Sequence, residues 1–218
     1  MSDTAEHQRN ERKSRTESIL LGAGIAINPN LPPIEAASEI KLRSAIEIAR
    51  RALCLLLVAA KGSDLDEESV LGLIESHGVA EFFTKDERAF IHNRQPEDED
   101  KMRFSWRSEA SWTLLWSLGF VDALGLPTDQ IEPYDAIEIV EKNRQEGLAT
   151  NASPRTADEI LDESDLILRC HWAVRDYQIG NSHVDPELDP DVTLERRHAL
   201  NWLTCNADQD WDNVSTDT

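Results

Sequence analysis

Cysteine is scarce in this chain, with three in 218 residues. Cys54, Cys170 and Cys205 are odd in number, widely separated and set among apolar neighbours. That pattern excludes a disulfide framework and a paired-cysteine zinc site, and it predicts buried free thiols in a reducing cytoplasm. Positive charge is the second shortage. The 22 lysines and arginines face 42 aspartates and glutamates, a formal net charge of -20. Such a field repels phosphate backbones and argues against nucleic acid as a partner, while a protein with a basic surface is electrostatically permitted. Long apolar runs are missing as well. No segment approaches the roughly 18 to 20 apolar residues that span a bilayer, so no membrane partner is expected. The short run Ile19 to Ile27 follows Arg12-Lys13-Ser14-Arg15, but it starts too far from Met1 and lacks a small-x-small cleavage site, so it does not read as a secretory leader.

Catalytic signatures are the fourth absence. There is no glycine-rich loop ending in Lys-Ser or Lys-Thr, no G-x-S-x-G, no H-E-x-x-H, no paired C-x-x-C and no dinucleotide fingerprint. No cofactor is required by anything in the chain. Glu195-Arg-Arg-His198 has the spacing that di-iron bundles use, but the second copy and the two further glutamates such a site needs are absent, so no metal site is expected.

What is present is a globular composition, 40% apolar and 29% charged, with six tryptophans. Acid and base balance through Ser18, so the negative excess lies downstream, with runs at Glu97 to Asp100, Asp185 to Asp191 and Asp208 to Asp217. Apolar spacing of three and four, punctuated by capping patterns, predicts an all-α, compact single-domain bundle of about seven to nine helices with no substantial sheet. Residues 1–10 are read as a disordered tail and 11–218 as one helical domain, with a possible subregion edge near 97–100. The expected helices run from Glu11 to Leu21, Glu35 to Lys61, Asp64 to His77, Thr84 to Ile91, Lys101 to Leu118, Tyr134 to Glu146, Thr156 to Tyr177 and Val192 to Cys205. Leu53 to Ala60 is apolar on nearly every face and predicts an enclosed central helix.

Tryptophans and charged residues share helical stripes in three of these segments. Glu109, Trp112 and Trp116 repeat at i, i+3, i+7, as do Arg169, Trp172 and Asp176, and Glu195, His198 and Trp202. If the stripes converge, Glu109 and Glu195 meet Arg107, Arg169, Arg175 or Arg196 in a desolvated cluster walled by indoles. Two readings stay open: closed packing by satisfied ion pairs, or a pocket for a carboxylate or phosphate that carries a flat group. Asn201 is an amide inside a helix and is expected to bond across to another element. Trp211 is expected to dock the end of the chain on the body. These residues, Arg107, Glu109, Arg169, Trp172, Arg175, Asp176, Glu195, Arg196, His198, Asn201 and Trp202, form the candidate polar cluster.

The same segments resemble a bacterial family, the domain of unknown function 4272 family. The matching stretches are Arg43 to Leu53, Arg107 to Gly119, Glu159 through Arg175-Asp176, Glu195 to Leu203 and the closing Trp211 to Thr218. Together they span most of the chain from about Arg12. The resemblance implies a soluble intracellular helical protein with no established activity to carry over. Function on this evidence is a choice between a non-enzymatic protein-binding domain, of adaptor or immunity-like kind, and a small-ligand binder or enzyme with an Arg, Glu, His and Trp-lined pocket.

Overall fold

The computed structural model describes residues 2–144, 147–204 and 209–216. Among the described residues every regular element is helical, in the order α1 (Ser2–Gly22), α2 (Ala45–Gly62), α3 (Glu67–His77), α4 (Lys85–His92), α5 (Asp98–Ser105), α6 (Arg107–Ser117), α7 (Pro133–Lys142), α8 (Leu148–Asn151), α9 (Ala157–Gln178) and α10 (Pro190–Thr204), with short 3-10 turns at Ala37–Glu39, Ala80–Phe82 and Trp211–Asn213. The all-α expectation holds, and leaving out the single turn of α8 the helices number nine, inside the expected range. Cys205, Glu146 and parts of the acidic C-terminal run lie outside the described residues.

Helix boundaries follow the capping chemistry more closely than the apolar periodicity. The periodicity from Glu35 to Lys61 predicts one long helix, yet α2 starts only at Ala45. The Ser44 hydroxyl accepts from the Glu47 N–H, and the Glu47 carboxylate accepts from the Ser44 N–H at 2.9 Å, a reciprocal cap that fixes the start. Thr84 with Glu87 and Thr156 with Glu159 open α4 and α9 in the same way. The expected helix from Lys101 to Leu118 is divided at Trp106 into α5 and α6, and the expected acidic loop from Glu97 to Asp100 supplies the first turn of α5, where negative charge complements the helix dipole. At the N-terminus α1 begins at Ser2, so residues 2–10 are helix where a disordered tail was expected. Arg9 on this segment holds both oxygens of Glu39 at 3.1 Å, and the stripe Arg12, Thr16, Leu20 continues the helix into the body.

α2 is the centre of the molecule. Its Ala52, Leu55 and Leu56 belong to a large core shared with α6, α9 and α10, and its Cys54, Leu57 and Val58 face a smaller core with Val70, Ile74, Phe90 and Phe104. The helix that reads as apolar on nearly every face is thus enclosed from two sides. Where α2 meets α5, Gly62 has no side chain for a reason: a Cβ there falls 2.6 Å from the Lys101 carbonyl oxygen and the Ser105 nitrogen. Cys54 and Cys170 are free and buried, and burial pushes both thiols up to about 12, which keeps them protonated and unreactive. Among the described residues no helix is long and apolar enough to cross a membrane.

Candidate functional site

Two of the three sequence stripes converge. α6 and α10 cross so that Glu109, fully buried, receives the Arg196 Nε at 3.3 Å and the Ile131 backbone N–H at 2.5 Å. Arg196 spends its Nη1 on the carbonyls of Leu124 and Gly125, each at 3.0 Å, and so ties the α6–α7 connection to α10. One residue earlier on α10, Glu195 takes Arg107 Nη1 on both oxygens at 3.0 and 3.1 Å. Burial pushes the carboxyls of Glu109 and Glu195 above the usual range, against the pull of their arginines. This seam is closed packing. Each carboxylate in it is paired with an arginine, only the Arg107 Nε is left without a partner among the described residues, and the loop it pins is the one that joins α6 to α7.

The other α10 residues also act as fasteners. The His198 Nε2–H donates to the Trp211 carbonyl at 3.0 Å, and Asn201 donates to the Ser215 carbonyl at 2.8 Å, the bond across to another segment expected of that amide. Trp202 carries the Arg43 guanidinium 4.2 Å over its ring while its carbonyl accepts from Arg43 Nε at 2.9 Å. Trp211 docks as expected, 3% exposed, with its ring 4.4 Å from His198 and edge-on to Trp202 at 5.6 Å. Burial, aided by the charge of Arg107, lowers the His198 pKa to about 4, so the ring is neutral. His171 on α9 is held in the same state, lowered to about 4 by burial and then by Arg197, whose Nη1 lies 2.8 Å from its Nδ1.

The third stripe goes elsewhere. Arg169 is 1% exposed, grips both oxygens of Asp165 at 2.8 and 2.9 Å and reaches Glu17 of α1 at 3.4 Å, so it clamps α1 to α9 instead of joining the seam. Trp172, Arg175 and Asp176 line an open groove of about 900 Å³ together with Ile179, Asp191 and Leu194. A hollow of about 310 Å³ shares Asp191 and Leu194 with it and adds Met102, Trp106, Glu99 and Arg103. The two make one ledge across the outer faces of α5, α9 and α10. Met102 and Ile179 are 66% and 64% exposed on it, and carboxylates of Glu99, Asp176 and Asp191 stand at its edge. Arg103 on the ledge is paired with Asp100 at 2.9 Å, and Arg175 donates to the Gln178 amide oxygen at 3.2 Å.

Several buried charges escaped the sequence reading. Arg12 is 3% exposed and bonds Asp158, Asp162 and the Glu35 carbonyl. Arg51 pairs with Glu87 between α2 and α4, both nearly inaccessible. Glu163 is half-buried, makes no hydrogen bond among the described residues, and is pushed up to about 7 by burial despite the nearby charges of Arg196 and Arg155. The one sequence signal that marks Arg51 is its place in Arg50-Arg51 directly before the apolar run Ala52 to Ala60. Among the described residues no three of His, Cys, Asp and Glu are grouped as metal ligands.

An all-α body locked by buried arginine and carboxylate pairs, with an apolar ledge on one face, is the class of protein this arrangement defines. The chain belongs to the family described as Domain of unknown function (DUF4272), which it matches over residues 12–214. No curated protein and no solved structure matches it.

Proposed function

We propose that the chain is a binding protein that docks a basic, amphipathic segment of a partner protein on the ledge formed by α5, α9 and α10. The observation that carries this is the ledge itself, whose two hollows share Leu194 and Asp191 and are lined by exposed Met102 and Ile179, the indoles of Trp106 and Trp172, and the carboxylates of Glu99 and Asp176. Exposed apolar side chains scattered singly are ordinary, but a contiguous strip inside a polar rim is the form of an interaction surface. The net charge of -20 favours a basic visitor, both by complementary contact at the rim and by long-range steering. An amphipathic helix lays its apolar stripe into such a groove with its cations on the carboxylate edge. The closed seam beneath it serves as a rigid floor.

The test uses a labelled synthetic leucine and lysine helix, titrated by fluorescence anisotropy against a peptide of the same composition in scrambled order. The ordered peptide is expected to bind at least about tenfold more tightly, a difference of ~1.4 kcal/mol. Leu194→Glu separates the ledge from bulk charge attraction. It adds a negative charge, so a purely electrostatic association strengthens, whereas docking on the ledge weakens at least about tenfold. Equal binding of both peptides, or tighter binding by the variant, overturns the reading.

A further inference from the structure

A second surface, on the opposite flank of α10 from the seam's loop, carries an independent inference. Between α2, the start of α4 and the Trp211 turn lies an open groove of about 700 Å³, a volume in the range of small-molecule sites. Its walls include Arg51, Trp202, Trp211 and the ring of Phe83, while Lys85, Asp86, Asp210 and Asp212 stand at its exposed margin. Two wall residues keep a donor in hand. Arg51 is 6% exposed and its Nε has no hydrogen-bond partner among the described residues, and Trp211 is 3% exposed with its indole Nε1–H likewise unpartnered. The two belong to one spot, since the Arg51 guanidinium sits 5.4 Å from the Trp211 ring centre. A buried donor without an acceptor costs about 1–3 kcal/mol, so two beside one groove are a standing demand for an acceptor.

The charge pattern narrows the class of ligand. The groove's lining is balanced, with Arg43, Arg51 and Lys85 against Asp86, Asp210 and Asp212, so a ligand with both charges is matched on both sides while a multiply charged anion meets the aspartates and the -20 field of the whole chain. A cation alone leaves the Arg51 and Trp211 donors unanswered. We infer that the groove binds a small zwitterion of the aromatic α-amino-acid type, its carboxylate answering Arg51 and the Trp211 N–H, its ammonium facing the marginal aspartates, and its ring against Phe83 and Trp202. Guanidinium and indole N–H groups are strong donors to a carboxylate. The ammonium gains from the aspartates and from the indole faces together. Both donor atoms are buried, so the ligand draws the Trp211 turn outward to reach them. That turn is held to the body through its own backbone carbonyls, by His198 on Trp211 and by Arg43 on Gln209 at 2.5 Å, contacts that leave the indole edge uncommitted.

Isothermal titration of the full chain with three probes decides the matter. L-phenylalanine has both charges, N-acetyl-L-phenylalanine only the negative one, and L-phenylalaninamide only the positive one. Saturable binding of phenylalanine is expected, at least about tenfold tighter than either derivative. Trp211→Phe keeps a ring and removes the donor, and it is expected to weaken phenylalanine at least about tenfold. Asp212→Asn, on an exposed side chain that leaves the fold alone, is expected to weaken it several-fold and serves if the Trp211 variant fails to fold. Absence of phenylalanine binding at millimolar concentration, equal binding of either derivative, or unchanged affinity in the Asp212 variant overturns the inference. None of these outcomes bears on peptide docking at the ledge, which shares no lining residue with this groove.

Discussion

Two buried glutamate and arginine pairs, one between α6 and α10 and one between α2 and α4, behave as opposites. In Glu109 with Arg196, both carboxylate oxygens accept a hydrogen bond, and the guanidinium also holds the carbonyls of Leu124 and Gly125. In Arg51 with Glu87 the ion pair and a cap to the Thr84 N–H use one carboxylate oxygen, and Arg51 Nε and Glu87 Oε1 are left without partners. Buried charges are tolerable only when paired and bonded throughout, so the first pair is architecture complete in itself. The second has spare capacity, and it sits where a groove opens. Burial and charge type alone do not separate structural from functional pairs. Unanswered polar atoms do so only together with an open groove, since Arg107 in the closed seam also keeps a buried Nε without a partner among the described residues.

The largest expected effect falls on the complete pair. Glu109→Ala leaves Arg196 uncompensated and the Ile131 N–H unpaired in the interior, and urea unfolding is expected to show a loss of about 3–5 kcal/mol. A loss below 1 kcal/mol ~ the size of an exposed pair would show that water reaches the seam. Next comes Glu163, a carboxyl beside the same Arg196 but not bonded to it. Its folded-state pKa is raised to about 7, so the folded protein holds the proton more tightly than the unfolded chain. Its contribution to stability is therefore present at acid pH and is lost as pH rises from about 4.5 to about 7. Glu163→Gln is expected to match the parent near the acid end of that window and to exceed it above the window by on the order of 1–2 kcal/mol. A constant offset at all pH values would show that the carboxyl titrates normally. His198 works in the other direction. With its pKa lowered to about 4 from 6.5, it favours the fold at neutral pH, and that support fades as pH falls through the interval. The smallest effect is expected at the open corner. Trp211→Phe removes a buried donor that has no acceptor, so its stability cost is expected to stay under about 1 kcal/mol even though ligand affinity drops. A much larger cost would mean that the indole N–H is already bonded.

Much of the fold was legible in sequence because it rests on local chemistry. Apolar spacing marks α2, α9 and α10, and Thr84 and Thr156 announce their helices by the residue three positions on. Boundaries failed where two local signals competed. At Ser44 a cap overrides an apolar rhythm that runs through it, and at Trp106 a bend divides a continuous pattern. Residues 2–10 read as a tail because Arg9 is polar in sequence and its partner Glu39 lies far along the chain, as do Asp158 and Asp162, the partners of Arg12 and Arg15 in the same helix. The candidate cluster divides by the same rule. Glu109 and Glu195 lie on stripes that helix geometry can bring together, whereas which of Arg107, Arg169, Arg175 and Arg196 each would meet was not readable, since Arg107 and Arg196 stand off those stripes. Arg169 turns to Asp165, four residues away, a nearer partner than any the seam offers. The groove of Arg51 and Lys85 was not readable, since nothing local says that α2 and the start of α4 meet the Trp211 turn.

The most direct test replaces each pair with neutral side chains and compares the two in urea. Glu109→Leu with Arg196→Met strips partners from the Ile131 N–H and from two loop carbonyls, and a loss of at least about 3 kcal/mol is expected. Arg51→Met with Glu87→Gln keeps the cap at Thr84 and removes both buried charges and the unanswered Arg51 Nε, and stability within about 1 kcal/mol of the parent is expected, with phenylalanine binding abolished. Equal losses from the two replacements would contradict the division between a complete pair and one held open for a ligand.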